Sequence, residues 1–107
     1  MVNVKERSGC MISRENLILI LREYKATNEN IYGIRRLGLF GSAARGEMYE
    51  DSDIDVVVEL KEPDLLILAD IKTDLEEQLG MRVDIVRHRK DMNINLKRRI
   101  SREAVYV

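Results

Sequence analysis

Asp53-Ile54-Asp55 runs without a break into Val56-Val57-Val58. The apolar run reads as a strand buried on both faces, which belongs inside a sheet with helices packed against it. Alternate side chains of a strand point the same way, so Asp53 and Asp55 project together, roughly 7 Å apart along the chain. Two carboxylates on one face repel and raise each other's pKa, and a divalent cation between them removes the conflict. Upstream, Gly41-Ser42 closes one apolar segment and opens a helix, where free backbone N–H groups can hold phosphate. A phosphate cradle with paired acids ten residues later reads as metal-dependent phosphate chemistry.

The flanking pattern places these residues on elements. Ser13 caps a helix over residues 14–29, with Glu15 in its first turn and Leu17, Leu21 and Tyr24 on one stripe. Asn28 to Gly33 ends it. Ile34–Phe40 is the first strand, Ala43–Met48 a short helix, Glu50–Ser52 a polar loop and Asp53–Leu60 the second strand. Pro63-Asp64 starts a long helix whose stripe is Leu68, Ile71, Leu75 and Leu79, with Gly80 closing it. Met81–Val86 is the third strand, and Asp91 caps a last helix over residues 92–103. The fold class is therefore α/β (α+β): a small mixed sheet of three to four strands flanked by helices. The crossover through residues 64–79 is most simply right-handed and parallel. An antiparallel edge pairing stays open.

Composition narrows the chemistry. A chain of 107 residues supports one core, assigned here to residues 13–107, with residues 1–12 as a flexible arm. Cys10 is the only cysteine and His88 the only histidine, which leaves no cysteine zinc cluster and little for Ser-His-Asp catalysis. The net charge of −1 argues against dependence on non-specific nucleic-acid binding, although residues 87–102 are distinctly basic. The longest apolar stretch, Leu17 to Leu21, cannot span a membrane, and residues 1–10 lack a signal-peptide core. A cytoplasmic protein without membrane or direct nucleic-acid partners is expected. His88, Cys10, Met48 and Met81 read as surface or packing residues, and the basic tail as a solvated helix face or part of a partner interface.

Each candidate has a plainer alternative. Asp51, Asp53 and Asp55 match the first ligand positions of an EF-hand, but Val56 stands where that loop requires glycine. Asp84, between Val83 and Ile85, is costly within a strand unless it is paired, hydrogen-bonded or metal-bound; the plain reading is an outward-facing strand residue. Beside Asp53 and Asp55 on a neighbouring strand it would complete three hard oxygen ligands, which select magnesium or manganese. Ser42 could be only a helix cap, and no Gly-Lys-Ser/Thr makes this a Walker loop.

Gly41-Ser42-x10-Asp53-x-Asp55 with Asp84 downstream resembles the nucleotidyltransferase superfamily, whose palm is shared with DNA polymerase beta. Residues 34–107 look like the minimal nucleotidyltransferases of bacteria and archaea, through the Phe-Gly-Ser-x-x-Arg-Gly, Ser-Asp-x-Asp, Val-Asp-Ile-Val and Arg-Glu-Ala-Val-Tyr runs. The resemblance implies two-metal nucleotidyl transfer from ATP. Asp53 and Asp55 would be catalytic ligands to both Mg2+ ions and Asp84 a ligand to one, with Gly41, Ser42 and Arg45 on the phosphates. It also implies a partner, a HEPN toxin ribonuclease that receives AMP on a tyrosine while this chain acts as its antitoxin. Transfer to a small molecule, and neutralisation of the toxin by binding alone, are the alternatives.

Overall fold

The computed structural model describes residues 13–47 and 53–107. Helix α1 (Arg14–Tyr32) is followed by strand β1 (Ile34–Phe40), the short helix α2 (Gly41–Arg45) and strand β2 (Ile54–Leu60). Then come α3 (Leu65–Leu79), β3 (Val83–Arg87), α4 (Ile94–Glu103) and β4 (Val105–Tyr106). The four strands form one mixed sheet in the order β3-β2-β1-β4. β1 runs antiparallel to β2 and to β4, and the crossover through α3 makes β2 and β3 parallel.

β2 is covered on both sides, as its valines require. Ile54, Val56, Val58 and Leu60 enter a large core with Leu17, Leu21 and Tyr24 of α1 and Ile71, Leu75 and Leu79 of α3. Val57 points the other way, into a small cluster with Phe40 and Ile100, flanked by Met92 and Leu96. α1 and α3 thus share one face of the sheet and α4 covers the other. A polar clasp ties α1 to α3: the hydroxyls of Tyr24 and Tyr32 donate to Asp74 Oδ2 at 2.7 and 3.2 Å. Burial and the Asp74 carboxylate raise the pKa of both phenols, holding them as neutral donors.

The helix ends follow local chemistry. Ser13 accepts from Asn16 N, Asp64 from Leu66 N and Ile67 N. α1 extends three residues past the expected end. Asn28 does not break it, because its amide donates to Tyr24 O one turn back while the Tyr32–Asp74 bond secures the last turn. Gly33, at φ 67°, stops it. α2 starts two residues early, at Gly41, and Ser42 is not its cap: Phe40 holds that position with no side-chain bond. α4 starts two residues late, because Asn93 rather than Asp91 accepts from Asn95 N and Leu96 N.

β3 also begins two residues later than expected, where Glu76 Oε2 accepts from Val83 N. Met81 packs against the core as a filler. His88 is less exposed than expected, its side chain 19% accessible with Nδ1 3.6 Å from Glu59 Oε1. The closing residues form an edge strand, with Val107 N donating to Leu37 O at 2.9 Å. Gly38 permits that pairing: a Cβ there would lie 2.7 Å from Val105 O. The N-terminal arm with Cys10, and the stretch holding Met48 and the Glu50–Ser52 loop, lie outside the described residues. No described helix is long and apolar enough to cross a membrane.

Candidate active site

The sheet brings the acids together at one level. Asp55 is the partner of Phe40 on β1 and of Asp84 on β3. Residues paired this way share a face, with strands about 4.8 Å apart. Asp55 and Asp84 therefore stand side by side on the α4 face, where β1 ends and β2 and β3 begin. Asp53 lies two residues before Asp55 along the same direction. Asp84 is exposed and sits near the start of its strand on the open edge, so its carboxylate escapes the cost expected of a buried strand residue.

Gly41 closes this group from the β1 side. Its φ of +71° favours glycine, and a Cβ at this position would collide with Asp55 Oδ2 and lie 3.2 Å from an Arg99 Nη atom. The ten-residue interval in the sequence therefore corresponds to direct juxtaposition. Ser42 follows in the first turn of α2, partly exposed, while Ala43 is buried in the main core. Arg14 Nε donates to Ala44 O at 2.7 Å and holds α2 against α1.

Burial, more than the Asp53–Asp55 repulsion read from the sequence, dominates the electrostatics at Asp55. Burial, then the Asp84 carboxylate, raises the pKa of Asp55; Arg99 opposes the shift, while Asp53 and Glu103 add to it. Asp53 is turned toward Arg82, with Arg82 Nε 3.1 Å from its Oδ1. Among the described residues, no three acidic side chains stand close enough together to form a ready-made metal site. The donor chemistry still fits a hard divalent cation: the Asp55 and Asp84 carboxylates are in register on adjacent strands, and Asp53 stands two residues before Asp55.

Arg45 is placed differently from a free phosphate ligand. Its Nη1 donates to Glu103 Oε1 at 2.6 Å, and its Nε lies 3.2 Å from Glu47 Oε2. Arg99, which sequence reasoning leaves in the basic tail, and Glu103, from the closing Arg-Glu-Ala-Val-Tyr run, also belong here. Arg99 lies over the Phe40 ring, 5.5 Å from its centroid, and its Nε is 3.3 Å from Glu103 Oε2. This part of α4 is not a purely solvated face. The available signal was the i, i+4 spacing of Arg99 and Glu103 around Ile100, the helix's buried anchor.

A mixed palm-like sheet carrying acids on two adjacent strands, faced by a glycine turn and arginines, suits enzymes that cleave and transfer phosphoanhydrides. Residues 21–107 match the family described as nucleotidyltransferase domain, and the chain belongs to that family. It is 38% identical over 98 residues to protein adenylyltransferase MntA of Thermococcus cleftensis, covering 91% of this chain and 98% of the relative. A solved structure described as a candidate minimal nucleotidyltransferase matches with a TM-score of 0.75 at 40% identity, over 91% of this chain and 98% of that one. The fold is also shared, at a TM-score of 0.57 and 22% identity, with a structure of a tri-AMPylated Shewanella oneidensis HEPN toxin in complex with MNT antitoxin. That match covers 87% of this chain and 66% of the other.

Proposed function

We propose that this nucleotidyltransferase is a protein adenylyltransferase that moves AMP from ATP to a tyrosine hydroxyl of a HEPN toxin, acting as its antitoxin. The observation that carries the reading is the contact between Gly41 and the Asp55 carboxylate, with Asp84 in register beside it. It puts a backbone stripped of side chain next to paired acids, as a triphosphate and its cations require. The MntA relative and the HEPN–MNT complex of the same fold support the acceptor class.

In this reading Asp53, Asp55 and Asp84 hold two divalent cations, Mg2+ or Mn2+. When bound, these supply charge neutralisation to the triphosphate and lower the pKa of the acceptor hydroxyl. Gly41, bare of a side chain, admits the Asp55 carboxylate against the turn whose backbone would face phosphate, and the Ser42 hydroxyl donates to a phosphate oxygen. Arg45 supports the same subsite. The acceptor hydroxyl gives up its proton to water, its oxygen bonds to the α-phosphorus as the anhydride to the β-phosphate breaks, and pyrophosphate departs. A phosphodiester-linked AMP on the toxin adds bulk and negative charge where RNA must enter.

The test is intact-mass analysis of the toxin after incubation with ATP, Mg2+ and this chain. One or more AMP additions, absent with Asp53→Asn, is the expected result. Full neutralisation of the toxin by Asp53→Asn, with no mass gain by the wild type, would overturn the reading in favour of a binder.

A further inference from the structure

The acids and the glycine turn account for part of the site, but α4 brings a charged group that they do not explain. Glu103 is the last residue of α4, and its side chain is only 15% exposed. Both of its oxygens are engaged by arginines from different elements: Oε1 by Arg45 of α2 at 2.6 Å, Oε2 by Arg99 of α4 at 3.3 Å. Its backbone is restrained as well. Ala104 N donates to Ile100 O, and Val105 immediately pairs with Leu39 of β1. Glu103 is thus an anchored carboxylate spanning the gap between two helices that frame Gly41.

The two arginines are not equivalent. Arg45 is held by two acids, Glu47 and Glu103, which leaves little of its charge uncompensated. Arg99 has the single, longer contact to Glu103; its guanidinium lies over the Phe40 ring, and its Nη2 reaches the space beside Gly41. It is 45% exposed at the side chain, open to a ligand arriving over the glycine turn. A planar guanidinium stacked on a ring keeps its orientation while presenting its remaining N–H groups, the arrangement suited to phosphate oxygens. Asp55 already senses this charge, which opposes the rise in its pKa.

We infer that Arg99 is the principal side-chain contact for the polyphosphate of the nucleotide, and that Glu103 is a positioning residue that aims it by tying α4 to α2 through Arg45. This rests on the reading of the site as a triphosphate site, and it reassigns the main phosphate role from Arg45 to Arg99. The sequence hides the pairing, because Arg99 is one of several cations along the tail and only the packing of Ile100 turns it inward.

The experiment is calorimetric titration of the full chain with AMP-PNP and with AMP, both with Mg2+ and without toxin. Arg99→Ala should weaken AMP-PNP at least about tenfold, corresponding to about 1.4 kcal/mol, while changing AMP less than about threefold. Arg45→Ala should have the smaller effect on AMP-PNP. Glu103→Ala should reproduce part of the Arg99→Ala loss, and Glu103→Gln, whose single amide oxygen accepts from only one of the two arginines, should fall between Glu103→Ala and wild type. Unchanged thermal unfolding of Arg99→Ala shows that the loss is not misfolding. Equal AMP-PNP affinity in wild type and Arg99→Ala, or an equal loss for AMP, would overturn the inference. Wild type that binds AMP-PNP through Arg99 yet adds no AMP to the toxin would sink the proposed acceptor and leave this inference standing.

Discussion

The two faces of the sheet are built from the same strands but to different ends. On the α1/α3 face, valine, leucine and isoleucine side chains close into one continuous core, with the Tyr24–Asp74–Tyr32 clasp at its border. On the α4 face, among the described residues, Phe40, Val57 and Ile100 form the enclosed cluster, and the remaining area holds Asp55, Asp84, Arg99 and Glu103. Apolar burial stabilises by about 25 cal/mol per Å2, so the first face carries most of the folding free energy. The second tolerates crowded like charges because the first has already secured the fold.

Substitutions on the two faces should therefore separate activity from stability. The largest effect is expected for Asp55→Asn: loss of transfer by at least about 10³-fold, or about 4 kcal/mol in barrier, measured as AMP added to the toxin. The same variant should unfold at an equal or higher temperature than wild type without metal. The sign follows from the raised pKa of Asp55. With its folded value above the unfolded one, the ionised group opposes folding at neutral pH, and stability is regained as pH falls through the raised value. A large drop in melting temperature for Asp55→Asn would show that the acids support the fold and erase the distinction between the faces.

Leu75→Ala tests the opposite face. Leu75 is fully buried, so urea denaturation should show a loss of about 2–5 kcal/mol. The folded fraction should keep its transfer rate. Ile100→Val sharpens the contrast, because it should cost only about 0.5–1.5 kcal/mol yet slow transfer, since Ile100 seats the helix that carries Arg99. Tyr24→Phe removes one of the two donors to Asp74 and should cost about 1 kcal/mol in denaturant titration, with no change in transfer.

The smallest effect is expected at the Arg36–Glu59 pair. The Arg36 guanidinium holds the Glu59 carboxyl below its ordinary value of 4.5. A lowered folded value contributes stability above 4.5 and loses it as pH falls through the folded value. With Arg36 nearly half exposed, screening keeps the contribution of the pair under about 1 kcal/mol. Glu59→Gln should flatten the acid limb of stability against pH by no more than that.

Much of this arrangement is readable from local chemistry. Asp64 and Gly80 bracket α3, Ser13 starts α1, and the apolar periods distinguish helix from strand, because caps and faces depend on residues a few positions apart. The Gly-Ser turn and the two aspartates are visible at a fixed interval, and the family pattern ties Asp84 to them. The end of α1 was less legible, since the bond that secures its last turn comes from Asp74 on another helix. The start of α4 was misplaced because Asp91 and Asn93 both have capping side chains, and only the backbone path selects the second.

The chain by itself determined the elements and the kinds of side chain available for phosphate chemistry, since hydrophobic period, capping and strand alternation are short-range properties. Tertiary structure alone decided that Asp55 meets both Gly41 and Asp84, that β4 closes the β1 edge beside Gly38, and that Glu103 joins Arg45 to Arg99. Those contacts join residues up to 68 positions apart, as for Gly38 and Tyr106. Strand order and helix packing bring them within bonding distance, and no local pattern encodes which of many similar charges will be turned inward.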